Sequence, residues 1–257
     1  MRPEELAAYI GAAAWLPQIA SWIYKQYVKP EIIIVPDKYA EVGFTTNGPI
    51  FNFRMIITSK NKSLIIDGFE LLIKHSDGDE HKLRWSGLLE TFSEITDNEG
   101  NKQVVSKDQT PIAIAVSPES LTEKFIRFQE PKFHESDRDL RSSLIAHFNY
   151  LLQTFPNEYR EKLLLSKELS KVADNGKEAF WWKSGRYEIK AAISSSNKFI
   201  LKFPELKFHL TNIDVENLNQ NISLIKNDLE NVIQQGNENF EKMPINWSWA
   251  NVNLEKS

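Results

Sequence analysis

From Leu6 to Tyr24 the chain runs nineteen residues without a formal charge, with Glu4 and Glu5 before them and Lys25 after. That length is close to the roughly 20 residues a helix needs to cross a bilayer core. Tyr9 near one end and Trp22, Tyr24 and Tyr27 at the other put amphipathic rings where lipid headgroups would lie. The pattern predicts an N-terminal membrane-anchor or docking helix over residues 1–28. Alanines, Pro17, Gln18 and Ser21 thin its aliphatic content, and Leu6, Ile10, Ala13, Leu16, Ala20 and Ile23 share one helical stripe, as in a helix lying on lipid or packed on a partner. Length favours a single-pass span through residues 6–24. Lys25 and Lys29 after it, against Arg2 before it, then favour a cytoplasmic main domain.

Past Pro30 the period shortens to two. Ile32 to Val35 form a β-branched run, and Phe51, Phe53, Met55 and Ile57 alternate with wetter positions after a turn cluster at Asn47, Gly48 and Pro49. A hairpin from Phe69 to Trp85 has one register that satisfies both its apolar and its charged residues. With Ser76, Asp77 and Gly78 as the loop and Gly78 left-handed, Phe69 faces Trp85, Leu71 faces Leu83, Glu70 faces Arg84 and Lys74 faces Glu80. Pro111–Val116 and Lys124–Phe128 are further strand candidates, and the polar stretch Glu94–Thr110 reads as an exposed loop or ragged hairpin.

Helical spacing returns after Ser136, which reads as an N-cap for Leu140, Leu144, Phe148, Leu151 and Phe155. A second helix from Pro156 through Val172 stops at Asp174, Asn175 and Gly176. Gly185 followed by Tyr187 at the start of a late strand resembles the tyrosine corner of immunoglobulin-like sandwiches, in which the phenol hydroxyl bonds back to the backbone. Leu206, Phe208 and Leu210 give a last strand. Beyond Thr211 and Asn212, the residues Val215, Leu218, Ile222, Ile225, Leu229 and Val232 step by three and four in a coiled-coil-like seam.

The expected architecture is therefore mainly β: an immunoglobulin-like β-sandwich over residues 30–212 with a helical hairpin inserted at 136–175. The N-terminal anchor-like helix precedes it, and a C-terminal amphipathic helix and tail occupy 213–257. The seam at 215–233 either packs on the sandwich or pairs with another chain.

Composition changes this picture little. A net charge of -4 with interspersed signs gives no basic stripe for nucleic acid, and the absence of cysteine removes disulfides, thiolate nucleophiles and cysteine-based zinc sites. No cofactor motif, glycine-rich phosphate loop or nucleophile elbow is present. The hairpin register puts His75 opposite Asp79 with His81 diagonal to it, a set that would suit a zinc ion with an open position; the plainer reading is a solvated turn. His134, Glu135, Asp137 and Asp139 form a second titratable cluster, best read as helix-start charges. Trp181, Trp182, Trp247 and Trp249 are candidate ligand or partner surface. The leading expectation is a noncatalytic, membrane-tethered binding or adaptor protein. A metal-dependent hydrolase at the hairpin tip and a structural protein oligomerising through the C-terminal helix are the alternatives.

Overall fold

The computed structural model describes residues 3–96, 102–118, 120–237 and 240–256, with side chains for all of these except 3–13, 25, 90–96 and 102–108. Helix α1 (Pro3–Tyr27) leads into strands β1 (Glu31–Thr45), β2 (Gly48–Lys60), β3 (Leu64–Ile66), β4 (Gly68–His75), β5 (Glu80–Thr96), β6 (Lys102–Gln109), β7 (Ile114–Val116) and β8 (Thr122–Gln129). Helices α2 (Pro131–Thr154), α3 (Tyr159–Leu164) and α4 (Lys167–Glu178) follow. The chain returns to strands β9 (Gly185–Ser194), β10 (Ile200–Lys202) and β11 (Leu206–Leu210), then α5 (Asn212–Ile233), β12 (Trp249–Asn253) and β13 (Glu255–Lys256).

The expected immunoglobulin-like sandwich is not formed. One strongly curled mixed sheet, a half-barrel, runs in the order β10-β1-β2-β8-β5-β4-β9-β11-β13, with β12 added on β1 and β6 on β5, while β3 and β7 pair separately. Its pairings are antiparallel apart from β1 with β10. Period-two alternation announces a strand with one dry face, and a curled sheet has one just as each half of a sandwich does. Strand order decides between them, and alternation carries no information about order.

The curl is visible in single contacts. Phe51 on β2 and Phe208 on β11 lie five steps apart in the sheet, yet their ring centroids are 5.5 Å apart across the interior. A flat sheet would hold those strands about 24 Å apart. Register shifts between Pro36 and Ala40 in β1 and between Trp85 and Gly87 in β5 bend the two longest strands. Large rings fill the concave side: Phe53 packs on Phe128, Phe69 on Phe128, and Tyr187 on Phe208.

The ends of the curl are joined by the C-terminal segment. β12 pairs with β1, and two residues on β13 pairs with β11, so one short stretch bridges both. It is held on the way by α5. Asn221 donates through Nδ2 to the carbonyls of Phe44 (2.9 Å) and Ser248 (2.8 Å) and accepts from the Ser248 N–H (2.8 Å). Asn231 repeats the two-way grip on Met243, donating at 2.9 Å and accepting at 2.9 Å.

The β4–β5 hairpin has the expected register: Glu70 faces Arg84, Leu71 faces Leu83 and Lys74 faces Glu80, with Gly78 at φ 104° in the turn. The stretch expected as loop or ragged hairpin is β-ribbon on both sides, β5 with β6 from Leu88 to Gln109, and its tip at 97–101 lies outside the described residues. The helical insert differs in its bounds. α2 starts five residues before Ser136, because Pro131 occupies its first turn after Glu130, and the Ser136 hydroxyl donates to the Phe133 carbonyl inside the helix. The second helix is two, broken at Leu165 and restarted by Ser166, whose hydroxyl caps the Leu169 N–H at 3.2 Å. Gly176 does not end it; α4 runs on to Glu178, and glycine there lets α5 approach, since a Cβ would sit 2.9 Å from Ile225 Cδ1.

The transmembrane expectation is also overturned. Among the described residues no helix is long and apolar enough to cross a membrane. Alanine, Pro17, Gln18 and Ser21 keep α1 uncharged without making it apolar. The single-pass localisation falls with the span, and so does the cytoplasmic orientation argued from it.

Candidate functional site

The predicted metal set sits at the end of the half-barrel where α2 begins, but its members turn away from one another. His75, 8% exposed, has Nδ1 2.9 Å from Asp77 Oδ1 and directs Nε2 at the Ser184 carbonyl, 3.1 Å away. With the proton on Nε2, the ring donates to Ser184 and can accept the Asp77 backbone N–H at Nδ1. Asp79 faces Lys183 instead, whose ammonium also lies 2.8 Å from Asp77 Oδ2. His81 has Nδ1 3.4 Å from Glu130 and its ring stacked on Trp181 at 3.8 Å and 4°. Among the described residues no three histidine, aspartate or glutamate side chains converge on a metal position.

What the tip builds is an anchor. Hydrogen bonding from Lys183 first, then the Asp79 backbone N–H and His75, holds the Asp77 carboxyl well below the usual carboxylate range. The same bonds raise Lys183. Four residues on, the Tyr187 hydroxyl donates to the Lys183 carbonyl at 2.8 Å and accepts from the Lys183 N–H at 2.7 Å, the backward bond expected of a tyrosine corner, here within a half-barrel. Burial pushes this phenol up to about 12. Gly185 holds φ 135°, and a Cβ there would meet His75 Nε2 at 2.5 Å, so the strand entry is fitted to the imidazole. Sequence reading missed Lys183 and Glu130, both solitary charges beside conspicuous aromatics.

The four tryptophans occupy different environments. Trp182 is 2% exposed and donates to the Gly43 carbonyl at 3.1 Å. Trp181 is half-buried, donates to Glu130 at 3.2 Å and lies 3.9 Å from the Trp182 ring. The two share one end of the interior because residues 181–184 are irregular rather than extended. Trp247 is half-buried, and Trp249, 38% exposed, lays its ring over Gly43, the residue it pairs with across the strands. His134 belongs to no acid–base pair: it lies 3.1 Å from Gln129 Oε1, and burial lowers its pKa. Asp137 pairs with Arg141 at 2.5 Å.

An open concavity of about 470 Å³ beside the tip is lined by Lys74, Asp77, Arg186 and Glu188 among others, charges of both signs with no acid, base and nucleophile in mutual reach.

The exposed apolar surface lies elsewhere. In α1 every residue from Ala14 to Tyr24 is exposed, including Trp15 (62%), Leu16 (63%), Ile19 (50%), Trp22 (63%) and Ile23 (45%). These five follow at i, i+1, i+4, i+7 and i+8, one contiguous helical face. Pro17 falls on the opposite side. The seam of α5, by contrast, faces inward: Leu218, Ile225 and Leu229 are buried in the core, though Val232 is 65% exposed. Comparison with protein-family models, curated proteins and solved structures found no match for the chain.

Proposed function

We propose that this chain is a noncatalytic binding or adaptor protein that docks onto protein through α1. The observation that carries the reading is the helix face of Trp15, Leu16, Ile19, Trp22 and Ile23, large apolar side chains all left in solvent. Anchors at this spacing fit a helix laid in an apolar groove. A helix resting in a lipid interface needs a charged face opposite its apolar one. On α1 that side carries Ala14, Pro17, Gln18 and Ser21. Protein is therefore the cover that suits this helix best. The rest of the molecule supports a noncatalytic role, because the hairpin-tip histidine, aspartates and lysine spend their polar atoms on one another and on the backbone.

A photoreactive amino acid at position 15, 19 or 22 of the full chain, irradiated in cells, tests this directly. Protein adducts at these positions are expected; their absence at all three overturns the docking reading. Turnover of any substrate that disappears in His75→Ala or Asp79→Asn overturns the noncatalytic one.

A further inference from the structure

Resting on that docking reading, we infer that the protein covering α1 is a second copy of the same chain, its α1 laid antiparallel on the first. The distribution of size and charge along the helix makes it complementary to itself in one direction only. The helix spans Pro3–Tyr27, so positions 8, 12, 15, 19 and 22, spaced by four and three, share a face. The N-terminal part of that face holds alanine at 8 and 12, with Gly11 beside them; the C-terminal part holds Trp15, Ile19 and Trp22. Antiparallel pairing sets the small half of each helix against the large half of the other, which gives the rings room and lets the backbones approach. Parallel pairing stacks tryptophan on tryptophan and leaves the alanine halves apart.

Charge gives the same answer. The helix begins with Glu4 and Glu5, ends at Lys25 and is followed by the exposed Lys29, with nothing charged between Glu5 and Lys25. An antiparallel pair brings the glutamates of each copy to the lysines of the other, two identical sets related by a two-fold axis, as closed dimers require. A parallel pair places glutamate on glutamate and lysine on lysine. Each helix is about 37 Å long at 1.5 Å per residue, and the contact leaves both half-barrels clear of one another at its two ends.

Equilibrium sedimentation of the full chain reads the outcome. A mass of twice 29.7 kDa is expected, and Trp15→Glu, at a solvent-exposed position whose change leaves the half-barrel fold intact by circular dichroism, is expected to be monomeric. Glu5→Lys and Lys25→Glu each weaken the dimer, about fivefold in Kd for the lost and reversed ion pairs, and the double exchange Glu5→Lys with Lys25→Glu restores it. Restoration is peculiar to the antiparallel arrangement, because in a parallel pair the double exchange leaves like charges opposed. A wild-type chain that stays monomeric at high concentration overturns the inference, as does a dimer that survives Trp15→Glu. If the chain is monomeric and position 19 still crosslinks to a different protein, the docking reading stands and the self-pairing fails; if vesicles of anionic phospholipid capture the monomer and no protein adduct forms, both fail.

Discussion

At the scale of single residues, Tyr187 ties the most structure together per atom. Its hydroxyl satisfies both the N–H and the carbonyl of Lys183, the residue whose ammonium clamps Asp77 and Asp79. Tyr187→Phe leaves that backbone pair unsatisfied beneath a buried ring, and a loss of about 1 to 3 kcal/mol is expected in urea unfolding. The proton on this phenol also links stability to pH. In the unfolded chain tyrosine ionises near 10, whereas the folded hydroxyl keeps its proton to about 12. The stabilisation is thus complete below pH 10 and is lost as the pH rises toward 12. Melting curves of wild type and Tyr187→Phe should therefore converge over that interval. Gly185 and Tyr187 were legible because both belong to a local motif with a known bond. Lys183 was not, because its carboxylate partners lie more than a hundred positions away in the hairpin turn.

Among the elements, those whose partner is adjacent in sequence were the readable ones. The β4–β5 register followed from charge and size pairing across a three-residue loop, and the start of α5 from Thr211, whose capping box with Asp214 is formed in full. Where an element is defined by something distant, local signals misled. Gly176 has the residue type of a helix stop, but space for Ile225 is what selects it. The apolar steps of α5 have the spacing of a two-chain seam, yet Asn221 and Asn231 on the same helix hold the strap that leads to β12. Asn221 is 0% exposed and makes three hydrogen bonds to backbone. Replacing it with alanine strands all three backbone groups and should cost about 3 kcal/mol in denaturant midpoint analysis, whereas Asn217→Ala, at an exposed position of the same helix, should cost less than about 0.5 kcal/mol.

For the whole molecule, the sequence showed how many strands have a dry face but not how they are ordered, and the difference between sandwich and half-barrel is entirely one of order. The decisive pairings, β2 with β8 and β12 with β1, join segments separated by long stretches of helix and strand. Because residues 249–256 serve β1 and β11 together, Val252→Asp, which puts a carboxylate into the core, should release both strands at once. Limited proteolysis is expected to open new cuts in β1 and β11 with the same time course; a cut in one alone would show that the two ends are held independently. The late position of that bridge also bears on how the chain is made. Val42 leaves the ribosome about 200 residues before its partner Ala250, which at typical rates of synthesis is about 10 to 40 s. For that interval the nascent half-barrel presents an open strand edge and an unsealed aromatic interior to the crowded cytosol around the polysome, so its yield in cells should depend on chaperones that shield strand edges and rise when translation downstream of β1 is fast.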